Sequence, residues 1–309
     1  MTSFGNDAPL IVIAGPTASG KTGLALRLAE AIGGEIVCCD SMTVYREMEI
    51  GTAKPTAAER ARVPHHLLDV VAPDEGFTAG DFSRQARVAL AEIVARGRVP
   101  IVAGGTGLYL RALIDGLFPA PPQDPALRSR LRKRESGHLH KVLERLDRAA
   151  AGLIHPNDQP KLVRAIEVSL AARRPMTEQW SLGRERLTGY RILRMGLRPE
   201  RAALYGRIDE RAAGMFTRGL VGEARGLLAK YGMQRSLGAL GYAEACAVIA
   251  GEMSEAEAVA RAQQGHRNYA KRQGTWFRRE AEFQWLEGFG DEGAVVASAM
   301  ELVSDFLKR

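Results

Sequence analysis

The chain has 309 residues, of which 46% are hydrophobic and 26% charged, and its net charge is +7. This length and composition predict a globular protein with a full hydrophobic core, divided into one main domain and a smaller unit. No apolar run is long enough to cross a bilayer and the N-terminal stretch lacks signal-peptide features, so we expect a cytoplasmic protein without membrane contact. The three cysteines fit neither a disulfide framework nor a zinc site.

The segment at residues 15–22 matches the phosphate-binding pattern G-x-x-x-x-G-K-[ST] at every fixed position. It reads Gly15, Pro16, Thr17, Ala18, Ser19, Gly20, Lys21 and Thr22. An apolar run before it predicts a buried strand at 10–14, and the residues after it predict a helix at 21–31. Backbone N–H groups of such a loop bind phosphate oxygens, Lys21 adds positive charge, and Thr22 is a Mg²⁺ ligand. A diphosphate ester and the terminal phosphates of ATP suit this loop equally.

Two more apolar runs, at 35–39 and 99–103, predict strands that end in polar residues. The first is followed by Asp40 and the second leads to Thr106 after two glycines. Strands that alternate with helices predict an α/β fold with a P-loop NTPase-like parallel sheet flanked by helices. Because ligands of such sheets bind at the carboxyl ends of the strands, we expect the 15–22 loop, Asp40 and Thr106 to share one edge.

Asp40 and Thr106 each have a catalytic and a structural interpretation. At its strand end, Asp40 is suited to hold Mg²⁺ through water or to accept a proton from a nucleophile, while the structural alternative is a turn cap with Ser41. Thr106 follows glycines that permit close approach of a ligand, and it is also a candidate N-cap for a helix that begins near Gly107.

The pattern changes beyond residue 116. A proline-rich linker at 118–122 and helical spacing after it predict three segments: a P-loop α/β core at 1–118, a basic helical insertion at 119–190, and completion of the core, mostly helical, at 191–309. Residues 124–201 contain 18 Lys or Arg against 9 Asp or Glu. This concentration of positive charge favours a nucleic-acid partner over a solvated helix surface.

Two other segments have competing interpretations. Neighbouring side chains of an extended chain point to opposite sides, so His65 and His66 are better explained as hydrogen-bonded structural residues than as a metal pair. The segment at 271–279 interleaves basic and aromatic residues, which suits an RNA backbone or stacked bases, although Trp276 and Phe277 themselves fit a helix packed on the core.

Six segments, taken in order, resemble the tRNA dimethylallyltransferase family over nearly the whole chain. They are Gly15 to Thr22, Asp40 to Arg46, Ile50 to Pro55, Pro64 to Leu67, Gly104 to Tyr109 and Lys271 to Arg278. The resemblance implies transfer of a dimethylallyl group from dimethylallyl diphosphate to the N6 amine of the adenine next to the anticodon, in tRNAs that read codons beginning with U. It implies Mg²⁺ as cofactor, an insertion that clamps the anticodon stem-loop, and a monomer.

The resemblance also assigns roles to individual residues. The catalytic group comprises Asp40, Thr106 and Lys21, and Arg211 joins the 15–22 loop in binding the diphosphate. The implied tRNA contacts are Asp40, Ser41, Met42, Thr43, Thr106, Arg128, Pro160, Lys161, Leu162, Val163 and Arg164. At 158–164 the chain departs from the family pattern, since Gln and Pro are exchanged and Lys161 stands where a forked guanidinium is usual.

Two other functions are compatible with parts of the sequence. A P-loop kinase of a nucleotide or small metabolite would use Asp40 as base, but it would not need the basic insertion. An RNA-binding protein with a nucleotide-dependent switch would not need Asp40 and Thr106 at one edge. ATP turnover without tRNA would indicate the kinase, and tight RNA binding without a modified nucleoside would indicate the switch.

Overall fold

A computed structural model describes residues 7–118, 120–181, 183–280 and 282–309. Pro119 of the predicted linker and the first six residues of the predicted core lie outside the described residues. The described chain separates into two compact units, one formed by residues up to 114 and from 187 onward, and the other by residues 115–186.

The first unit is built around a parallel sheet of six strands among its described residues, in the order β3-β2-β4-β1-β5-β6. The strands are β1 Ala8–Ala14, β2 Glu35–Cys39, β3 His65–His66, β4 Pro100–Gly104, β5 Tyr190–Arg198 and β6 Gln284–Glu287. The helices of this unit are α1 Lys21–Ile32, α2 Ala57–Arg62, α3 Ala79–Ala95, α4 Gly107–Ile114, α10 Arg201–Thr217, α11 Leu220–Tyr231, α12 Tyr242–Ile249, α13 Glu255–Phe277 and α14 Gly293–Lys308. The predicted P-loop NTPase-like α/β fold is confirmed.

Both faces of the sheet are covered, which explains why the central strands β1 and β4 are continuous apolar runs. All seven residues of β1 are buried. On one face the core includes Leu24 of α1 and Ala299 of α14, and on the other it includes Leu90 of α3 and Phe277 of α13. Since β1 pairs with β4 and β5, the loops after these strands meet at one edge of the sheet.

The second unit contains five described helices around a small core of its own. They are α5 Pro125–Arg132, α6 Ser136–Leu146, α7 Arg148–Leu153, α8 Gln159–Ala172 and α9 Met176–Ser181. Asp124 caps α5 and Asp158 caps α8, in each case by accepting a hydrogen bond from a backbone N–H of the first turn. Leu139, Leu143 and Ile166 are completely buried between the helices.

The unit boundaries fall four residues before the predicted limits of the insertion at 119 and 190. The physical reason at the second boundary is strand pairing, because Tyr190 already lies in β5, opposite Ala8 of β1. Arg191, Arg194 and Arg198 therefore belong to the sheet, and residues 115–186 hold 14 Lys or Arg against 9 Asp or Glu. None of the described helices is both long and apolar enough to span a membrane.

Candidate active site

The 15–22 loop connects β1 to α1 through backbone conformations that favour glycine. Gly20 precedes the helix with φ 87°, and a Cβ at this position would lie 2.8 Å from the backbone nitrogen of Gly290. Gly290 in turn donates its N–H to the Ser19 carbonyl at 2.9 Å. The Gly290 backbone after β6 therefore packs directly against the loop, and a side chain at Gly20 would disturb this contact.

Lys21 and Arg211 place two cations in one cavity. Lys21 Nζ donates to the Pro16 carbonyl at 2.6 Å, and Arg211 reaches the same cavity from α10. Burial and the nearby Arg211 lower the pKa of Lys21 from 10.5 to about 7, against the opposing effect of Asp40. Burial likewise lowers the pKa of Arg211. Two partly desolvated cations facing a single carboxylate form a site suited to an anion.

Asp40 follows β2 and faces this cavity together with Thr22. Its Oδ1 accepts the backbone N–H of Met42 at 2.8 Å, so the turn-capping role predicted as the structural alternative is present. No group of the described residues donates a hydrogen bond to the other carboxylate oxygen. Asp40 therefore has one oxygen engaged in the turn and one available for chemistry in the cavity.

Thr106 ties the ends of β2 and β4 together. Its N–H donates to the Cys39 carbonyl at 3.3 Å, and its Oγ1 accepts the Ser41 N–H at 3.1 Å. Its carbonyl also accepts the Leu110 N–H in the first turn of α4. The structure thus brings the Asp40 and Thr106 segments to the edge that holds the 15–22 loop, as the strand ends predict.

The cavity between these segments has a volume of about 110 Å³. Tyr269 and Gln273 of α13 line it, and the sequence motifs assign no role to either residue. Burial together with the charge of Asp40 raises the pKa of Tyr269 to about 12, against an opposing effect of the Thr106 side chain. The signal available in the sequence was the family segment beginning at Lys271, which indicates that α13 is involved without identifying these contacts.

The chain after β2 is anchored by a buried lysine. Lys54 Nζ donates to the Tyr45 carbonyl at 2.6 Å and pairs with Glu49 at 2.9 Å and Asp69 at 2.5 Å, while its side chain is fully shielded from solvent. Arg60 pairs with the same two carboxylates. The network also reaches the segment after Asp40, because Asp69 donates its backbone N–H to the Thr43 carbonyl at 3.2 Å.

Each of the two histidines has a hydrogen bond, as predicted. His65 Nδ1 lies 2.8 Å from the Val63 carbonyl, and His66 Nε2 lies 2.7 Å from Glu35 Oε2. Burial lowers the pKa of His65. The described residues contain no cluster of three or more His, Cys, Asp or Glu able to hold a metal ion.

In the 271–279 segment the aromatic residues pack as predicted for a helix on the core. Phe277 is buried, and the Arg111 guanidinium lies 4.4 Å from the centre of the Trp276 ring. Lys271, Arg272 and Arg279 line an open groove with Arg111 and Trp276. The segment therefore contributes both to the core and to a basic surface.

In the second unit, Arg128 is engaged in an internal ion pair. Its guanidinium donates to both carboxylate oxygens of Glu167 at 2.9 to 3.0 Å, and Arg164 donates to the same carboxylate at 2.6 Å. Burial would raise the pKa of Glu167, but these hydrogen bonds outweigh it and the pKa is lowered. Replacing Arg128 would leave a buried charge undercompensated and would destabilise the unit independently of any ligand.

The α8 residues implicated in tRNA binding are divided between surface and core. Pro160 and Lys161 are exposed, whereas Leu162 and Val163 are buried in the core of the unit. The side chains of Leu162 and Val163 are therefore not exposed to a ligand. Their apolar side chains point inward because α8 packs against α6 and α9.

The depressed pKa of Lys21 leads to a pH-dependent prediction. An anion placed beside Nζ favours the charged amine, so its binding above pH 7 should be accompanied by uptake of about one proton. Calorimetric titration of diphosphate at pH 8, in buffers of different ionisation enthalpy, measures this uptake. Lys21→Arg, which stays charged throughout, should bind with less proton uptake, and equal uptake by both proteins would contradict the prediction.

The lowered pKa of Lys21 should also make the stability of the fold depend on pH. Lys21 holds its proton up to about pH 10.5 when unfolded but only to about pH 7 when folded, so the unfolded state binds more protons between these values. This group should therefore make the free energy of unfolding rise with pH across that interval.

The fold and the cavity define a P-loop NTPase-like α/β protein with two basic side chains, Lys21 and Arg211, in a cavity at the carboxyl edge of its sheet. The IPP transferase family model matches residues 43–280. The tRNA dimethylallyltransferases of Koribacter versatilis and Solibacter usitatus are 59% and 51% identical, covering 96% and 97% of this chain and 99% of each relative. The chain belongs to the tRNA dimethylallyltransferase (IPP transferase) family.

Solved structures agree with this assignment. The full-length tRNA isopentenylpyrophosphate transferase of Bacillus halodurans is 36% identical, with a TM-score of 0.71 and coverage of 97% of both chains. A eukaryotic dimethylallyltransferase, described as acting on tRNA, shares the fold with a TM-score of 0.82 at 24% identity, over 97% of this chain and 80% of that one.

Proposed function

We propose that this enzyme transfers a dimethylallyl group from dimethylallyl diphosphate to the N6 amine of the adenine next to the anticodon, in tRNAs that read codons beginning with U. The observation that carries the proposal is the single cavity shared by Lys21, Arg211 and Asp40. Two cations suit the diphosphate of the donor, and the carboxylate suits an amine that must lose a proton.

In the proposed reaction the allylic C–O bond of the donor breaks and its electron pair leaves with the diphosphate. The N6 lone pair forms the new C–N bond, and one N6 proton passes to Asp40. Lys21, Arg211 and the backbone N–H groups of the 15–22 loop neutralise the charge that develops on the leaving group. Because these groups are already positioned in the folded protein, little reorganisation accompanies the bond cleavage.

The residues present fit a magnesium ion held mainly by the donor. Thr22 offers a hydroxyl at the start of α1 and Asp40 a carboxylate in the same cavity, while the described residues form no all-protein carboxylate cage. Mg²⁺ is commonly bound by one or two protein oxygens plus substrate phosphates and water. Bound there, it would supply charge neutralisation to the diphosphate.

The acceptor adenine must leave the stacked anticodon loop to reach an enclosed cavity. Thr106 and the segment at 40–43 are proposed to contact the extruded nucleotide, since Asp40 and Thr43 line the cavity and Thr106 accepts a hydrogen bond from Ser41 between them. Nucleic-acid enzymes that act on a base inside a stack extrude it in this way, at a cost of a few kcal/mol.

The second unit is proposed to bind the anticodon stem-loop, and its surplus of basic residues supports this role. Arg130, Arg132, Lys133, Arg134 and Lys161 are exposed. As the family resemblance implies, the active form is proposed to be a monomer that acts on tRNA in the cytoplasm.

Neutralising Lys133 and Lys161 to Ala should weaken tRNA binding and reduce its salt dependence. Each lost phosphate contact lowers the slope of log affinity against log salt by about 0.7 to 0.9. Fluorescence titrations across a salt series measure both quantities. Lys308→Ala, which removes an exposed lysine of α14, is the matched control and should leave the slope unchanged. A wild-type slope in the double variant would reject the proposed role of these two lysines.

The overall proposal is tested by incubating the protein with unmodified tRNA, Mg²⁺ and dimethylallyl diphosphate. Mass spectrometry of the digested tRNA should then show a prenylated adenosine, and sequencing by fragmentation should place it next to the anticodon. ATP turnover without any modified nucleoside would instead indicate a kinase, and RNA binding without modification would indicate a non-enzymatic role.

A further inference from the structure

We propose that Gln273 is a positioning residue that aligns two sides of the cavity. The donor side is the 15–22 loop, and the acceptor side comprises the residues that follow β2 and β4, including Asp40, Gly105 and Thr106. The inference rests on the proposed function, because it concerns the geometry of the same transfer.

The Gln273 side chain bridges two segments that are far apart in the sequence. Its Oε1 accepts the backbone N–H of Thr17 at 2.8 Å, and its Nε2 donates to the carbonyl of Gly105 at 2.9 Å. The residue is only 5% exposed. One amide therefore connects the 15–22 loop directly to the end of β4.

The two partners specify which way the amide faces. A flipped amide would direct its NH₂ group at the Thr17 N–H and its oxygen at the Gly105 carbonyl, and both contacts would be repulsive. The space for Nε2 exists because residue 105 is glycine, since a Cβ there would lie 2.2 Å from Nε2. Gln273 and Gly105 thus form a matched pair.

A second residue of helix α13 lines the same cavity. Tyr269 lies one helical turn before Gln273, on the same face, and lines the cavity together with Gly105. The same helix face therefore contacts Thr17 on the donor side and Gly105 on the acceptor side, and adds the Tyr269 ring to the wall of the cavity. A rigid helix with these contacts fixes the separation of the two sides.

Alignment matters because the amine must reach the allylic carbon along the axis of the breaking C–O bond. A displacement of about 1 Å costs on the order of 100-fold in rate even when both reactants remain bound. Loss of the Gln273 bridge should therefore affect the chemical step more than the binding of either substrate.

The test compares Gln273→Met, which keeps the side-chain length and removes both hydrogen bonds, with Gln263→Met. Gln263 is the matched control because it lies on the same helix and donates Nε2 to the Asp209 carbonyl at 3.1 Å. Single-turnover transfer by Gln273→Met should fall roughly 10- to 100-fold. Separately measured affinities for donor and tRNA should stay close to wild type, and Gln263→Met should transfer at nearly the wild-type rate.

Gly105→Ala disturbs the contact between Gln273 and Gly105 by changing the other residue of the pair. Alone it should slow transfer, because its methyl group displaces the Gln273 amide. Combined with Gln273→Ala it should add little to the loss caused by Gln273→Ala, since the group it displaces is already gone. Thermal unfolding of each variant shows which proteins are folded, and the cycle uses the folded ones.

The inference would be overturned by a wild-type single-turnover rate in Gln273→Met, by a rate loss fully accounted for by weaker donor or tRNA binding, or by additive effects of Gly105→Ala and Gln273→Ala. An equal loss in Gln263→Met would assign the effect to general packing of α13 and would also reject it. A wild-type protein that yields no prenylated adenosine would reject the proposed function itself, which is a different observation from a variant that retains activity.

Discussion

Asp40→Asn should slow the chemical step by roughly 10² to 10⁴, the range expected for loss of a positioned general base. The amide keeps the size of the side chain and its oxygen can still accept the Met42 N–H, so the turn after β2 should persist. What is lost is the basicity toward the N6 proton. Single-turnover rates with bound tRNA and donor measure this step directly.

A series of Mg²⁺ concentrations separates the two roles open to Asp40. If the carboxylate acts only by helping to hold the metal ion, raising Mg²⁺ should restore much of the lost rate, whereas a missing base is not replaced by more metal. Recovery of Asp40→Asn to near the wild-type rate at high Mg²⁺ would remove Asp40 from the proton-transfer step. Asp74→Asn, at an exposed aspartate outside the cavity, is the control substitution and should leave the rate unchanged.

Lys21→Ala should reduce transfer by roughly 10² to 10³, comparable to deletion of one preorganised electrostatic donor. Its charge matters most as the diphosphate departs, so the loss should appear in the single-turnover rate at saturating donor as well as in donor affinity. A variant that turns over at the wild-type rate would rule out the role of Lys21 in leaving-group stabilisation.

The stability of this variant distinguishes a catalytic effect from misfolding. Burial lowers the pKa of Lys21, which means that the folded state disfavours the charged amine. Removing it should therefore leave the melting temperature unchanged or slightly higher near neutral pH. Lys21→Arg keeps the positive charge on a larger side chain, and partial activity there would identify charge as the essential property.

The sequence predicted the principal strands and the α/β class because these features depend on local patterns. The runs before the 15–22 loop and at 35–39 are apolar because both faces of a parallel sheet are covered, and the structure confirms both as β1 and β2. The limits of the insertion were harder to predict, since Tyr190 is assigned to the sheet by its pairing with β1 and not by its own neighbourhood.

The individual site contacts were only partly predictable. Asp40 and Thr106 could be placed at one edge because the ends of parallel strands always meet there. Arg128 shows what the charge count could not predict. A count of basic residues cannot reveal that the Arg128 guanidinium is paired with the buried Glu167. Leu162 and Val163 likewise lie in a motif, yet helix packing buries both.

By itself, the sequence determined the 15–22 loop, its flanking elements and the residues available for chemistry, since each follows from residue type and spacing within a short segment. The tertiary structure alone decided that burial together with the nearby Arg211 lowers the pKa of Lys21 to about 7, and that Gln273 bridges Thr17 and Gly105. These properties depend on desolvation and on contacts between residues up to 256 positions apart, which no local pattern encodes.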